Sequence, residues 1–240
     1  MIKTITSREN AKIKYAFSLK TSKGRKDHQQ FLCESKNSLE VALKSQLVTD
    51  IFTLKEMENI PSHINQYLVT EEIIEKIAFS AHPEGIVFIA NFLPMKKPFA
   101  LHRAVYFDGI SDPGNMGTMI RTALAFDYDA IILSSTCVSI YNEKVIAASK
   151  GAIFLLPIYE DSIESYKGKM TIVASTLSSQ SVSLEETKIT SPFILVFGNE
   201  SHGISEEVKK TTDIFVKIPI NHIDSLNVSV ASGILMHHFK

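Results

Sequence analysis

The sequence predicts an α/β protein with largely parallel strands. From about residue 29 onward, short apolar runs alternate with segments of helical period. In the second part of the chain the apolar runs are nearly continuous, which is typical of strands covered on both faces of a sheet. Hydrophobic residues make up 45% of the 240 residues and charged residues 21%, so the chain can bury a core of ordinary size.

The first part of the chain is predicted to form a small α/β domain. Its predicted strands cover residues 29–34, 50–54, 67–70 and 86–91, and its predicted helices cover 38–45 and 71–78. Residues 93–98 (Leu-Pro-Met-Lys-Lys-Pro) contain two prolines, so they can neither extend the interior of a sheet nor begin a packed helix. We therefore predict one domain over residues 1–95 and a second over 99–240.

The second part has a more regular alternation of elements. Its predicted strands cover 104–108, 130–133, 171–175, 193–197 and 214–218, and its predicted helices cover 116–126, 142–149, 205–210 and 225–238. In the last helix, six residues fall at helical spacing and are expected to form one buried stripe: Leu226, Val230, Ala231, Ile234, Leu235 and His238.

The sequence excludes several classes of protein. No run approaches the roughly 18 apolar residues of a membrane span, and residues 1–4 do not open a secretory signal, so we expect a cytoplasmic protein. Cys33 and Cys137 lie far apart in strand-like surroundings and are expected to be buried free thiols rather than a disulfide or metal site. His237 and His238 have no suitably spaced partner, so no metal is expected.

The small net charge of −1 conceals an uneven distribution. Residues 1–30 carry eight Lys or Arg against two acidic residues, a local balance of +6, which leaves −7 for the rest. Such a cluster could neutralise RNA phosphates. A solvated helix face with a mobile loop explains the same charges. The candidate RNA-binding residues of this cluster are Lys12, Lys14, Lys23, Arg25 and Lys26.

In an open α/β sheet, ligands bind beyond the carboxyl ends of the strands, and three loops there are candidates. The first covers residues 108–117 and has the turn sequence Asp-Pro-Gly-Asn, with Asn115 expected to cap the next helix. Arg121 lies about one and a half turns further on and could reach an anion near the helix start. A capped turn followed by a surface arginine is the alternative. A P-loop is excluded, because Asn115-Met116 occupies the position of its Lys-Ser/Thr.

The second loop covers residues 198–205 (Gly-Asn-Glu-Ser-His-Gly-Ile-Ser). Its glycines allow close backbone approach to a ligand, and Glu200 can accept hydrogen bonds from a ligand or an arginine. A turn with an exposed glutamate, followed by Ser205 as a helix cap, is the alternative. The Gly-x-Ser-x-Gly elbow of hydrolases is absent, since Asn199 stands at its first glycine.

The third loop covers residues 218–231 and leads into the last helix. Ser225 or Asp224 is expected to cap that helix. Asn227, in the first turn, is harder to explain by structure alone. Short polar residues at a helix start, facing two other polar strand-end loops, favour a cradle for a polar ligand.

Taken together, the three loops resemble the SpoU/TrmH family of RNA ribose methyltransferases in the SPOUT superfamily. Three motifs carry the resemblance: Asn115-x-Gly117-x-x-x-Arg121, Gly198-Asn199-Glu200-x-x-Gly203 and Ser225-Leu226-Asn227-Val228-x-Val230-Ala231. Ile5-Thr6-Ser7-x-x-Asn10-x-x-Ile13-Lys14 and Phe31-Leu32-Cys33-Glu34 also resemble the ribosomal-protein-like substrate domain of rRNA-modifying members. The chain departs from the family pattern at Ser35, at Ser201 and at 221–223, where glycine is usual or frequent.

The resemblance implies a fold, a cofactor and a reaction. It implies a small α/β RNA-binding domain followed by a parallel-sheet domain with a trefoil knot, a homodimer with the site at the subunit interface, and methyl transfer from S-adenosylmethionine to a ribose 2′-hydroxyl. The extra N-terminal domain favours rRNA over tRNA. The implied cofactor-binding residues are Thr176, Val196, Phe197, Gly198, Asn199, Ile218, Pro219, Ile220 and Leu226.

The resemblance also assigns roles in catalysis. Because a guanidinium stays protonated far above neutral pH, we expect Arg121 to grip the adjacent phosphate and stabilise the developing alkoxide rather than act as a free base. Arg121 would be oriented, together with the ribose, by Asn115, Glu200, Ser225 and Asn227. Two alternatives stay open: a SPOUT enzyme that methylates a base nitrogen, and a non-catalytic RNA-binding or ribosome-assembly protein. The modified nucleotide, and whether it serves antibiotic resistance, is left open by the sequence.

Overall fold

A computed structural model of the chain describes residues 2–240. It divides into two compact units. One contains the residues up to Pro94 together with Tyr141–Phe154, and the other contains Met95–Ile140 and Leu155–Lys240. The boundary after Pro94 lies next to the predicted one. The prediction of one continuous second domain over 99–240 differs from this division, because residues 141–154 pack within the first unit.

Aromatic packing explains why that segment joins the first unit. The ring of Tyr141 stacks on Phe92 with centroids 3.6 Å apart, and Phe154 stacks on Phe31 at 5.8 Å. The backbone N–H of Leu93 also donates a hydrogen bond to the Tyr141 hydroxyl at 2.9 Å. These contacts join residues distant in sequence, so no local pattern announces them.

The first unit contains a mixed five-stranded sheet in the order β1-β4-β3-β5-β2. Strands β1, β3 and β4 run parallel, whereas β5 is antiparallel to both β2 and β3, so the expectation of largely parallel strands is wrong for this sheet. The elements up to residue 91 are β1 (Ile2–Ile5), α1 (Ala11–Ser18), α2 (Ser22–His28), β2 (Gln30–Glu34), α3 (Lys36–Lys44), β3 (Val48–Thr53), β4 (Asn65–Val69), α4 (Glu71–Ile77) and β5 (Ile86–Asn91).

The first unit also contains three elements that the sequence patterns did not predict, namely β1, α1 and α2. Strand β1 lies at the sheet edge and is mostly exposed, so it lacks the apolar run of a central strand. Helix α1 buries Ile13 and Ala16, and α2 is only seven residues long. Cys33 on β2 is buried as predicted, and burial raises the pKa of its thiol.

The second unit is built on seven strands, all parallel, in the order β10-β12-β9-β11-β6-β7-β8. The elements from residue 103 onward are β6 (Arg103–Asp108), α5 (Pro113–Ala125), β7 (Ala130–Leu133), α6 (Glu143–Ser149, in the first unit), β8 (Ile158–Glu160), β9 (Thr171–Ser175), β10 (Val182–Ser183), β11 (Phe193–Gly198), α7 (Glu206–Thr211), β12 (Ile214–Lys217) and α8 (Val228–His238). Only the short edge strands β8 and β10 were not predicted. Cys137, in the loop after β7, is partly exposed rather than buried.

The last helix buries a different face from the predicted one. It begins at Val228, and its buried residues are Ser232, Leu235 and Met236. Val230 and Ile234 are 52% and 39% exposed, so the predicted single buried stripe is wrong. The buried face is the one that packs against α5 and β11.

The sheet order brings the three candidate loops to one place. The chain runs from β6 outward through β7 to β8, whereas β11, β9, β12 and β10 lie on the other side of β6. A ligand is expected beyond the carboxyl ends of the strands at such a reversal. The trefoil knot implied by the resemblance stays a prediction. Among the helices described over residues 2–240, none combines the length and apolar character of a membrane span.

Candidate functional site

The loop after β6 leads into α5 through an N-cap residue that the sequence analysis did not predict. Asp112, not Asn115, caps α5: its Oδ1 accepts a hydrogen bond from the backbone N–H of Asn115 at 2.7 Å, and Pro113 follows at the first helical position. The predicted capping role of Asn115 is therefore wrong. Its side-chain amide is left free to bind residues outside the helix.

Glu200 joins the loop after β11 to the loop after β6. Its Oε2 accepts from the backbone N–H and hydroxyl of Ser111 at 3.1 and 2.8 Å. Its Oε1 accepts from the backbone N–H of Asp112 and from Nδ2 of Asn115, both at 3.1 Å. Burial raises the pKa of the Glu200 carboxyl, but the hydrogen bonds from Asn115 and Ser111 and from the loop backbone outweigh it, so the net pKa is lowered. The carboxylate is thus held ionised as an acceptor.

Asn227 joins the third loop to the same group. It caps α8, since its Oδ1 accepts from the backbone N–H groups of Ser229 and Val230 at 2.9 and 3.4 Å. The prediction that Ser225 or Asp224 caps this helix is therefore wrong. The Asn227 Nδ2 donates to Asn115 Oδ1 at 3.0 Å. One continuous run of side-chain hydrogen bonds, from Glu200 through Asn115 to Asn227, links all three loops.

The backbone of the second loop folds back tightly on itself. Asn199 and Gly203 exchange two backbone hydrogen bonds of 2.9 Å, and Asn199 Nδ2 donates to the carbonyl oxygen of Gly109 at 2.8 Å. A Cβ atom on Gly198 would lie 2.3 Å from the Gly203 carbonyl carbon, so only glycine fits there. Ser205 caps α7 as predicted, with its Oγ accepting from the backbone N–H of Val208 at 3.3 Å.

Beside this network lies a cavity of about 390 Å³. Small-molecule sites commonly have volumes of roughly 300–1,000 Å³ and combine apolar walls with a few polar groups. The cavity is lined by Ser175, Thr176, Leu177, Phe197, Gly198, Asn199, Glu200, Gly203, Lys217, Ile218, Ile220, Ser225, Leu226, Asn227, Val228 and Ala231. It lies beyond the carboxyl ends of β9, β11 and β12, where a ligand was expected.

Most of the predicted cofactor residues line this cavity, and two do not. Val196 is fully buried in the core beneath it, and Pro219 is exposed. Sequence analysis did not assign Ser175, Leu177 or Lys217 to the site. Ser175 ends β9, Leu177 follows it by two residues, and Lys217 ends β12. Their strand-end positions were the available signal, because such positions border the ligand-binding edge of the sheet.

Arg121 stands apart from the hydrogen-bonded group. It is exposed on α5 and does not line the cavity. Over residues 2–240, the Arg121 guanidinium has no recorded hydrogen bond, ion pair or ring contact. An uncommitted guanidinium can bind an incoming anion without first breaking a contact within the protein.

The basic cluster of the first unit is only partly available to a ligand. Arg25 is 8% exposed, and its guanidinium donates to the carbonyl oxygens of Leu19 and Lys20 at 3.2 and 2.9 Å. This burial contradicts its predicted RNA contact and gives it the structural role of closing the end of α1. Lys12 is paired with the buried Asp50 at 2.9 Å. The remaining predicted lysines, Lys14, Lys23 and Lys26, are exposed.

Comparison with protein families gives two matches. The SpoU rRNA methylase family matches residues 102–237, and the MRM3-like substrate-binding domain matches residues 10–87. The first range contains the three candidate loops and the cavity. The second contains most of the sheet of the first unit.

Individual proteins match over the whole chain. The 23S rRNA (guanosine(2553)-2′-O)-methyltransferase RlmP of Bacillus subtilis is 29% identical over 100% of both chains. A tRNA/rRNA methyltransferase of Synechocystis, described as uncharacterized, is 31% identical over 100% of this chain and 94% of its own. Among solved structures, the AdoMet-bound rRNA methyltransferase of Sinorhizobium meliloti is 25% identical with a TM-score of 0.88, covering 99% of this chain and 97% of its own.

Proposed function

As a member of the SpoU rRNA methylase family, this chain is an S-adenosylmethionine-dependent RNA methyltransferase, and we propose that it methylates a ribose 2′-hydroxyl of 23S rRNA. The observation that carries the proposal is the run of hydrogen bonds from Glu200 through Asn115 to Asn227 at the rim of the 390 Å³ cavity. The name of the Bacillus subtilis relative and the match to a substrate-binding domain favour ribosomal RNA. We place the reaction in the cytoplasm.

The cavity suits the cofactor in size and chemistry. Ile218, Ile220 and Leu226 supply an apolar wall for a flat ring, while Thr176 and Ser225 supply hydroxyl groups. Gly203 also lines the cavity, and its φ of +69° is a backbone conformation that favours glycine. When bound, S-adenosylmethionine supplies an activated methyl group, so the chain's contribution is positioning and control of charge.

The side chains around the cavity then have separate tasks. Glu200 has a lowered pKa and is a weak base, so we assign it to orienting Asn115 rather than to accepting a proton. Asn115 and Asn227 fix the position of the α5 and α8 starts at the cavity rim. Ser225 also lines this rim and is a candidate partner for the ribose.

Arg121 is the residue that we assign to the substrate. Its guanidinium stays protonated, has a planar fork of donors that matches a phosphate, and is uncommitted in residues 2–240. In the proposed reaction it holds the phosphate next to the target ribose and stabilises the negative charge that develops on the attacking 2′-oxygen. The hydroxyl proton passes to solvent water.

A homodimer is part of the proposal. Val230 and Ile234 expose apolar side chains on α8, in a shallow groove that also includes Phe126. This groove lies on α5 and α8, so a second copy seated there would bring its own surface next to the helix that carries Arg121. Sedimentation should show a dimer for the wild type and a monomer for Ile234→Asp. Leu155→Asp, at an exposed apolar residue outside the groove, should stay dimeric.

Digestion of methylated RNA tests the reaction. The protein is incubated with methyl-labelled S-adenosylmethionine and unmodified 23S rRNA, 16S rRNA or tRNA, and the RNA is digested to nucleosides. We expect label on a 2′-O-methylnucleoside from 23S rRNA. Label on a base would contradict the ribose assignment, and label in tRNA alone would contradict the choice of rRNA.

A further inference from the structure

Helix α1 carries an aromatic ring that its own domain does not bury. The helix turns Ile13 and Ala16 into the core, while Phe17 is 47% exposed. Lys14, one turn earlier, shares the exposed side of the helix with it. About half of the Phe17 side chain is therefore accessible to a ligand.

Two cations are fixed beside this ring. The ammonium groups of Lys20 and Lys76 each lie 5.8 Å from the Phe17 ring centroid. Both are anchored by backbone oxygens, since Lys76 donates to the carbonyl of Arg8 at 2.7 Å and Lys20 donates to that of Ala78. The cations therefore stay close to the ring. Lysine ammonium groups held this way keep a donor for a further partner.

The charge around the ring favours an anion. Within residues 2–240, the exposed Arg8 side chain has no recorded partner. The neighbouring acid is Glu9, which is paired with Lys14 at 2.9 Å and Lys76 at 3.5 Å. The Glu9–Lys14 pair is exposed on both sides, and the 3.5 Å Glu9–Lys76 pair has its exposed side at Glu9, whose side chain is 72% exposed, so the carboxylate can yield its place to a phosphate. We name the group of Arg8, Lys14, Phe17, Lys20 and Lys76 the Phe17 surface.

We propose that the Phe17 surface binds an unpaired nucleotide of the substrate RNA, with the base stacked on the Phe17 ring and the flanking phosphates bound by Lys20, Lys76 and Arg8. The inference rests on the proposed function, because it assumes an RNA substrate. An aromatic ring between cations matches single-stranded RNA, in which base faces and phosphates alternate. A paired duplex hides its base faces, and an apolar protein partner would leave the cations unmatched.

Binding of short labelled RNAs to the full chain tests the proposal. Phe17→Ala should weaken binding of an unstructured 12-nucleotide RNA roughly tenfold, whereas Phe17→Trp should retain it, since stacking on one aromatic side chain is of that order. Binding of a fully paired duplex should not change. The matched control is Phe99→Ala, because Phe99 is fully exposed, at 108%, and has no recorded ring or cation contact within residues 2–240. Thermal melting confirms that each variant is folded.

The salt dependence identifies the phosphate contacts. Lys76→Gln should reduce the slope of log affinity against log salt by about 0.7 for single-stranded RNA, while Phe17→Ala should leave the slope unchanged. Wild-type affinity of Phe17→Ala, or an equal loss for duplex and single strand, would overturn the proposal. Methylation of 23S rRNA by the wild type, measured alongside, tests the proposed function separately. If the wild type methylates while Phe17→Ala has an unchanged KM for RNA, only the stacking surface is refuted.

Discussion

The side-chain nitrogen of Asn227 lies 3.0 Å from Oδ1 of Asn115, across 112 positions of the sequence. Each of these two residues is also committed elsewhere, Asn115 to Glu200 and Asn227 to the start of α8. An amide can do this because it carries a donor and an acceptor on one planar group. The contact therefore uses the donor and the acceptor of both amides, and it makes the geometry of the cavity rim depend on two helix starts at once.

Asn227→Asp should separate two roles of Asn227, the capping of α8 and the hydrogen bond to Asn115. A carboxylate still caps α8, but it cannot donate to Asn115, so we expect unfolding free energy within about 0.5 kcal/mol of the wild type and kcat/KM reduced roughly tenfold. Asn227→Ala should lose the cap as well, at about 1 kcal/mol. Urea unfolding and methyl transfer are measured on both variants. Full activity in Asn227→Asp would contradict a role in methyl transfer for the hydrogen bond between Asn227 and Asn115.

Glu200 predicts a pH dependence of stability. Burial raises its pKa, the hydrogen bonds from Asn115 and Ser111 lower it more, and the net folded-state pKa is below the ordinary 4.5. A lowered folded-state pKa contributes stability above the unfolded-state value, and this is lost as the pH falls through the folded value. The wild type should therefore exceed Glu200→Gln in stability at pH 6 and 7, and the difference should shrink below pH 4.5.

Urea unfolding between pH 3.5 and 7 measures that difference. The control is Glu56→Gln, at an exposed glutamate with no recorded side-chain hydrogen bond within residues 2–240, which should show little difference at any pH. A gap between wild type and Glu200→Gln that stays constant with pH would show that the charge of Glu200 does not stabilise the loop.

The sequence predicted the strands around the site and the identity of the loops, but not the local roles within them. The strands at 130–133 and 171–175 were predicted with the observed bounds, because central strands are continuous apolar runs. The caps were predicted wrongly because each loop offers several short polar residues. Asp112 competes with Asn115, and Asn227 competes with Asp224 and Ser225, and contacts distant in sequence decide between them.

The same limit explains the other differences. Helical spacing identified an apolar set on α8 but could not tell which side faces α5, so Val230 and Ile234 were expected to be buried. The sequence identified the cluster of basic residues near the N-terminus. Only the fold shows that the guanidinium of Arg25 hydrogen-bonds to backbone carbonyl oxygens within the protein. The trefoil knot, which stays a prediction, could not be derived from residue spacing, because a knot depends on how the chain threads through its own loops and not on local sequence.

Arg121→Lys should lose methyl transfer while keeping cofactor affinity. Arg121 does not line the cavity, so calorimetry should give a Kd for S-adenosylmethionine within about twofold of the wild type. A lysine replaces a planar fork by a point charge, and we expect kcat/KM to fall by roughly 10²–10³-fold. Arg103→Lys is the matched control, since Arg103 lies at the opposite end of β6, over the ring of Tyr128. Substantial activity in Arg121→Lys would remove Arg121 from the central role.

Ser35→Gly should stabilise the first unit. Ser35 has φ 82° and ψ 145°, a conformation that is close to glycine-only and costs of order 1–3 kcal/mol for other residues. Glycine relieves this strain, and as a helix cap it is only a few tenths of a kcal/mol worse than serine. The greater conformational freedom of glycine in the unfolded chain offsets part of the gain, so we expect a net stabilisation of about 1 kcal/mol. Ser35→Ala keeps the strain and loses the cap, and should destabilise. Thermal melting of the two variants should shift in opposite directions, and a shift of both in one direction would contradict the argument.

Residues 141–154 should be required for the first unit to fold on its own. A fragment of residues 1–95 lacks Tyr141 and Phe154, which pack on Phe92 and Phe31, and truncating one buried aromatic side chain typically costs about 3–5 kcal/mol. The Leu93 N–H donates to the Tyr141 hydroxyl, so the end of the fragment lies near the start of the segment. A short flexible linker can therefore rejoin the segment to the fragment. We expect circular dichroism to show a cooperative thermal transition for the rejoined fragment and a weaker or absent one for residues 1–95. Equal stability of the two fragments would mean that residues 1–95 form a complete domain without the segment, as the sequence had predicted.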